Sequence, residues 1–151
     1  MTLEHGFLLV EEKHHKKVAS PSLPGSTDLY RLHDDLIQYM GDTLKWLPTT
    51  NPSRNEPGQG LNLYGRTVLA AAGASMAAKL FEGWAGLFRL GPQQLALTGD
   101  WSQIEGDPDS SGYERLHFDR DATVAVLEGI ASICRRAASS KGKLVVVHLG
   151  I

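Results

Sequence analysis

An α+β fold is what this chain predicts: a single domain over residues 1–151, with a mainly antiparallel sheet of about four to five strands packed with three helices. Three observations carry the expectation. Residues 120–139 place Val126, Leu127, Ile130, Ile133, Cys134 and Ala137 on one stripe of an amphipathic helix. Residues 143–148, Lys-Leu-Val-Val-Val-His, form a short β-branched apolar run, the pattern of an internal strand. Residues 94–101 and 113–118 alternate apolar and polar side chains on either side of a turn-rich segment, which is the pattern of a hairpin.

The elements follow in order. Residues 3–10 contain Gly-Phe-Leu-Leu-Val, a first strand, and Glu11 to Lys17 read as a solvated strand end or turn. Its adjacent histidines, His14 and His15, lack the i, i+4 spacing that puts two ligands on one helix face. Two prolines, a glycine and two serines make residues 20–25 a loop, and Ser26 or Thr27 then caps a helix expected over residues 27–46. Leu29, Leu32, Leu36, Ile37, Met40, Leu44 and Leu47 keep its period, Gly41 weakens its middle and Pro48 stops it. His33 lies beside that stripe as a partly buried structural histidine. Residues 49–60, with Pro52, Pro57, Gly58 and Gly60, read as a long irregular loop, and residues 61–69 as one strand bent near Gly65.

A third helix is expected over residues 74–89, where Ala77, Leu80, Phe81, Trp84, Leu87 and Phe88 form the core stripe and close packing accounts for Gly83 and Gly86. Gly91-Pro92 ends it. In the hairpin that follows, Leu95, Leu97, Leu116 and Phe118 face inward, Arg115 and His117 face outward, and the acidic loop of residues 102–112 forms the tip. Asp119 or Asp121 caps the helix of residues 120–139, because a carboxylate accepts from free first-turn N–H groups, and Gly142 offers a left-handed exit. Sheet membership is expected for residues 61–69, 94–101, 113–118 and 143–148.

With 42% apolar and 21% charged residues, the composition is that of a globular protein able to bury a core. Cys134 is the one cysteine, so no internal disulfide forms, and its place on a helix stripe makes it core filler. No apolar run is long enough to cross a bilayer, and the first residues lack the basic and apolar regions of a signal peptide, so a cytoplasmic location without membrane contact is expected. Net charge is −2, and Asp100, Glu105, Asp107, Asp109 and Glu114 follow one another with no Lys or Arg between them. Nucleic-acid binding rests on clustered positive charge, so this distribution argues against it and leaves room for a basic protein partner.

No Gly-rich phosphate loop, paired-Cys metal motif, His-Glu-x-x-His or Gly-x-Ser-x-Gly elbow is present, and no metal or cofactor is expected. Asp100 and Glu105 are a carboxylate pair in a loop that reads as solvated, where their pKa values would not be driven apart. His148 stands near the end of the buried strand, as a base or, more commonly, a locally hydrogen-bonded side chain.

Several short stretches bear on function together: Trp46-Leu47-Pro48 with Asn51-Pro52, Gly60 through Thr67, Gly91-Pro92, Leu97-Thr98-Gly99, and His148-Leu149-Gly150-Ile151. Over residues 46–151 the chain resembles small cytoplasmic immunity proteins of bacterial polymorphic toxin and contact-dependent growth inhibition systems. The resemblance implies an α+β fold, no enzymatic activity, and tight binding to a cognate toxin C-terminal domain, in these systems often a nuclease with a basic surface. Charge then assigns the toxin-binding residues, as an expectation: Asp100, Trp101, Glu105, Asp107, Asp109, Tyr113 and Glu114. The alternatives are a small cytoplasmic enzyme and a non-catalytic homo-oligomeric interaction module; the sequence leaves the oligomeric state open.

Overall fold

A computed structural model of the chain describes residues 3–17 and 28–151. The loop expected at residues 20–25 and the cap at Ser26 or Thr27 lie outside the described residues.

The strands are β1 (Glu4–Glu11), β2 (Leu29–His33), β3 (Pro48–Asn51), β4 (Glu56–Gln59), β5 (Arg66–Leu69), β6 (Gln94–Ser102), β7 (Gly112–Asp119) and β8 (Leu144–Leu149). The helices are α1 (Asp34–Tyr39), α2 (Gly41–Leu44), α3 (Ala72–Arg89) and α4 (Arg120–Ser139), and a 3-10 helix at Glu12–Lys17 follows β1. Six strands form one sheet in the order β2-β1-β8-β5-β3-β4, with every neighbouring pair antiparallel. The fold is therefore α+β and mainly antiparallel as expected. The described residues hold eight strands in two sheets and four helices, where four to five strands and three helices were expected.

β8 sits between β1 and β5 and is buried on both faces. Val146 and His148 share the face that meets the helices, with Phe7 and Leu69, whereas Val145, Val147 and Leu149 cluster with Leu8 and Val68 on the other. α3 and α4 cover the first face through Ala74, Ala77, Phe81, Leu127, Ile130 and Cys134, all fully buried. Asp119 is the residue that caps α4: its Oδ2 accepts from the Ala122 N–H at 2.8 Å. Gly142 takes the left-handed exit with φ +82°.

Five expectations need correction. The helix of residues 27–46 is instead β2, α1 and α2. Leu29 to His33 pair with β1 (Leu32 opposite His5), α1 stops at Met40, and α2 begins at Gly41. The apolar side chains of a short strand followed by a short helix mimic one long period, and Leu32, Leu36, Ile37, Met40, Leu44 and Leu47 are buried all the same. The irregular loop of residues 49–60 is a hairpin of β3 and β4, turned through Asn55 at φ +52° with an Asn51 side chain accepting from the Ser53 N–H. β4 is an edge strand with every residue exposed, so it shows no alternation and tolerates Pro57.

The bent strand of residues 61–69 is a strand only at Arg66–Leu69. Before it, Asn62 closes a turn by accepting from the Tyr64 N–H, and Thr67 Oγ1 accepts from the Asn62 N–H. Residues 94–101 and 113–118 do pair as a hairpin, but as a separate two-stranded sheet, not beside residues 143–148. β6 begins shortly after α3 ends and β7 runs straight into α4, so the hairpin caps the end of the helix pair. Finally, a Cβ built at Gly83 or Gly86 meets nothing within 4 Å, so packing among the described residues does not account for these glycines, and Leu87 is exposed, not core.

Candidate functional site

The hairpin stands out from the body. Its inner face near α3 and α4 is anchored by buried Leu95 and Leu116, with Leu97 and Phe118 packed against the main core. Beyond Thr98 the register shifts through a β-bulge, and Trp101 comes opposite Tyr113. Gly99 permits the close approach there: a Cβ would lie 3.0 Å from Glu114 Cβ and against Leu116. Trp101 and Tyr113 meet edge to face with ring centroids 5.1 Å apart, yet are 57% and 64% exposed. Ile104, on the same tip, is also exposed.

Asp100, Glu105, Asp107, Asp109 and Glu114 are all exposed on the same end of the hairpin. All seven residues assigned to partner binding from the sequence are therefore brought onto one protrusion. The tip is held by its own hydrogen bonds. Asp107 Oδ1 accepts from the Asp109 N–H at 3.1 Å, and Ser110 Oγ donates to Asp107 O at 2.7 Å and accepts from the Ile104 N–H at 2.8 Å. A short 3-10 turn at Pro108–Ser110 results, with Gly106 at φ +83°. The carboxylates thus sit on a shaped loop, which lowers the ordering cost of binding.

Beneath the overhang, between α1 and the hairpin, lies a cleft of about 460 Å³ lined by Asp35, Gln38 and Tyr39 on one side and Gly99, Asp100 and Glu114 on the other. Three carboxylates and a phenol facing one groove extend the negative surface from the tip down to α1. Tyr39 continues it toward α3, with its ring 5.9 Å from that of Trp84, whose Nε1–H donates to Thr43 Oγ1 at 3.0 Å.

Behind α1 the structure holds a polar chain that the sequence reading did not assemble. His148 and His5 are both fully buried, and their rings stack with centroids 5.1 Å apart. His148 Nε2 lies 2.8 Å from His5 Nδ1, His5 Nε2 donates to Asp34 Oδ1 at 2.8 Å, and Gln38 Nε2 donates to Asp34 Oδ2 at 2.5 Å. Among the described residues His148 Nδ1 is buried without a partner. His148 therefore does not bond locally: its partner lies 143 positions away. Burial first, and then the nearby His5, push the His148 pKa down to about 3.

The signal that could have revealed this chain is the placement of His5 two residues before Phe7, which puts a histidine on the inward face of β1. His33 is structural, as expected. Its Nδ1 accepts from the Asp35 N–H at 3.1 Å, capping α1, and its ring packs edge-on against Phe118. Cys134 is buried, and burial pushes its thiol up to about 12. Among the described residues no three His, Cys, Asp or Glu side chains gather to hold a metal ion, and no helix is long and apolar enough to cross a membrane.

No family model matches the chain, and no curated protein or solved structure is significantly similar to it.

Proposed function

We propose that this protein is an immunity-type inhibitor that binds a cognate toxin domain through the hairpin tip, with a basic, nuclease-type surface as the target. The observation that carries the reading is the exposed Trp101–Tyr113 pair on a hairpin tip whose five carboxylates have no cation between them in sequence. Exposed aromatics are costly to leave in water and are the usual anchors of a binding hot spot, while surrounding charge steers the encounter. The acidic cleft under the overhang suits a cationic side chain from the same partner. An enzyme reading would require a base open to substrate, and the histidines of the polar chain, His5 and His148, are sealed from solvent.

Co-expression with the product of the upstream gene, followed by pull-down and growth rescue, tests the partner. Surface kinetics then test the face. Replacing Glu105, Asp107 and Asp109 by Lys leaves the fold in place, since all three are exposed, at a local cost of about 1 kcal/mol where Asp107 no longer accepts from the Asp109 N–H, but slows association and flattens its salt dependence. Trp101→Ala raises the dissociation rate, by roughly thirtyfold for a side chain worth about 2 kcal/mol. Equal on-rates and equal salt slopes for the wild type and the triple variant would exclude this face.

A further inference from the structure

Histidines sealed in an apolar core carry a cost that most folds avoid, and this chain places two together against one carboxylate. Asp34 can only accept, so His5 Nε2 carries a proton toward it. One proton then lies between His5 Nδ1 and His148 Nε2. When His148 donates it, His148 Nδ1 is a bare lone pair without a donor. When His5 donates it, His5 is an imidazolium paired with Asp34, and His148 Nδ1–H lacks an acceptor. The chain thus accommodates one excess proton. A second sets N–H against N–H across a 2.8 Å contact and stacks two cations on one carboxylate.

Among the described residues no other buried side chain supplies a countercharge. The buried titratable side chains among the described residues are His5, His148, Asp34 and Cys134, and Cys134 stays a neutral thiol. From β5 the neighbour of His148 is Thr67, and from β1 it is Phe7. α3 faces this side of the core with Ala74, Ala77 and Phe81, and α4 with Leu127, Ile130 and Cys134. On the surface side stand Glu4 next to His5 on β1, Arg31 on β2, His33 with Asp35 at the start of α1, and Arg66 on β5.

We propose that the His148–His5–Asp34 chain is an acid-released clasp that ties α1 to the C-terminal strand and so sets the cleft beneath the hairpin. Water reaches the pair only if part of its cover lifts, and α1 is the weakest part. It has six residues, buries Leu36 and Ile37 besides Asp34, breaks at Met40, and is capped by an imidazole. Its residues Asp35, Gln38 and Tyr39 form one wall of the cleft, so lifting α1 removes that wall. The sign follows from the folded state's resistance to the second proton. With α1 closed His148 stays neutral, and with α1 lifted it takes a proton at the ordinary histidine value of about 6.5. The contribution of His148 to the closed-to-open ratio is thus fully present above about pH 6.5 and falls up to tenfold for each pH unit below it.

Native-state amide exchange of the free, full-length protein tests this without any partner, so its failure is separate from failure of the toxin-binding reading. Protection factors at residues 38–40 should fall by up to tenfold per pH unit below about 6.5, while those of Leu127 and Ile130 hold. His148→Leu should abolish the slope at residues 38–40. Should that variant not fold, ¹⁵N imidazole shifts of the wild type serve instead, with His148 staying neutral at pH 5 in the closed form. Loss of protection in α1 and α4 together, no pH dependence at residues 38–40, an unchanged slope in His148→Leu, or ordinary titration of His148 with α1 still protected would each overturn the proposal.

Discussion

Val146→Asp tests the placement of β8 at the centre of the sheet. Val146 is fully buried, paired with Leu9 of β1 on one side and Leu69 of β5 on the other, and it faces α3 and α4. Removing its side chain forfeits about 1.5–3 kcal/mol of apolar burial. The new carboxyl has no donor among the apolar neighbours, so at pH 7 it either sits there charged or is held protonated. If burial raises its pKa by about three units, holding the proton at pH 7 adds roughly 4 kcal/mol. The total, about 5.5–7 kcal/mol, takes from about two-fifths to all of a margin of about 5–15 kcal/mol. Urea melts followed by circular dichroism should show loss of the folded baseline at pH 7. Two controls isolate the charge. Val146→Ala costs about 2 kcal/mol, and Val146→Asn, of the same shape as Asp, costs an amount independent of pH between 5 and 7, while the Asp variant recovers as pH falls. A Val146→Asp protein within about 1 kcal/mol of wild type at pH 7 would mean that β8 is not an interior strand.

Cys134 should react with a thiol reagent at pH 8 only after unfolding, because burial holds its pKa at about 12, and Cys134→Ala should cost no more than about 1–2 kcal/mol; rapid labelling of the native protein would refute this. Gly83→Ala fills open space on α3 and should raise stability by about 1 kcal/mol, read as a rise in Tm of roughly 2–4 °C; a fall would show that something packs on this face. Asp119→Ala removes the α4 cap and should cost about 1 kcal/mol in a chemical melt.

The elements legible in the sequence are those whose burial is one-sided and long enough to show a period. α4, α3, β6 and β7 each run for eight residues or more with one face on the core. β8 was legible for the opposite reason, as an unbroken β-branched run. β4 had no pattern to read because all four residues face water. β2 was hidden because Leu29 and Leu32 fall in phase with the helix that follows. The tip was legible as an exposed acidic turn carrying two aromatics because charge and aromatic spacing are local properties. The His148–His5–Asp34 chain was not, because it joins residues 143 and 29 positions apart, and only the register of β1 against β2 and β8 brings them together.

The position of β8 has a consequence for how the protein is made. Residues 144–149 are synthesised after every other described strand, yet they are the seam between two ribbons, β2-β1 on one side and β5-β3-β4 on the other. Until they arrive, β1 and β5 each wait with a bare inner edge and apolar side chains that have nowhere to go. At synthesis rates of about 5–20 residues per second, that interval lasts many seconds for β1. Completion of the sheet therefore depends on long loop closures, slow compared with formation of the α3–α4 pair. A nascent chain stalled before Leu144 would expose two sticky edges instead of one finished sheet, and would be a substrate for chaperones or for aggregation.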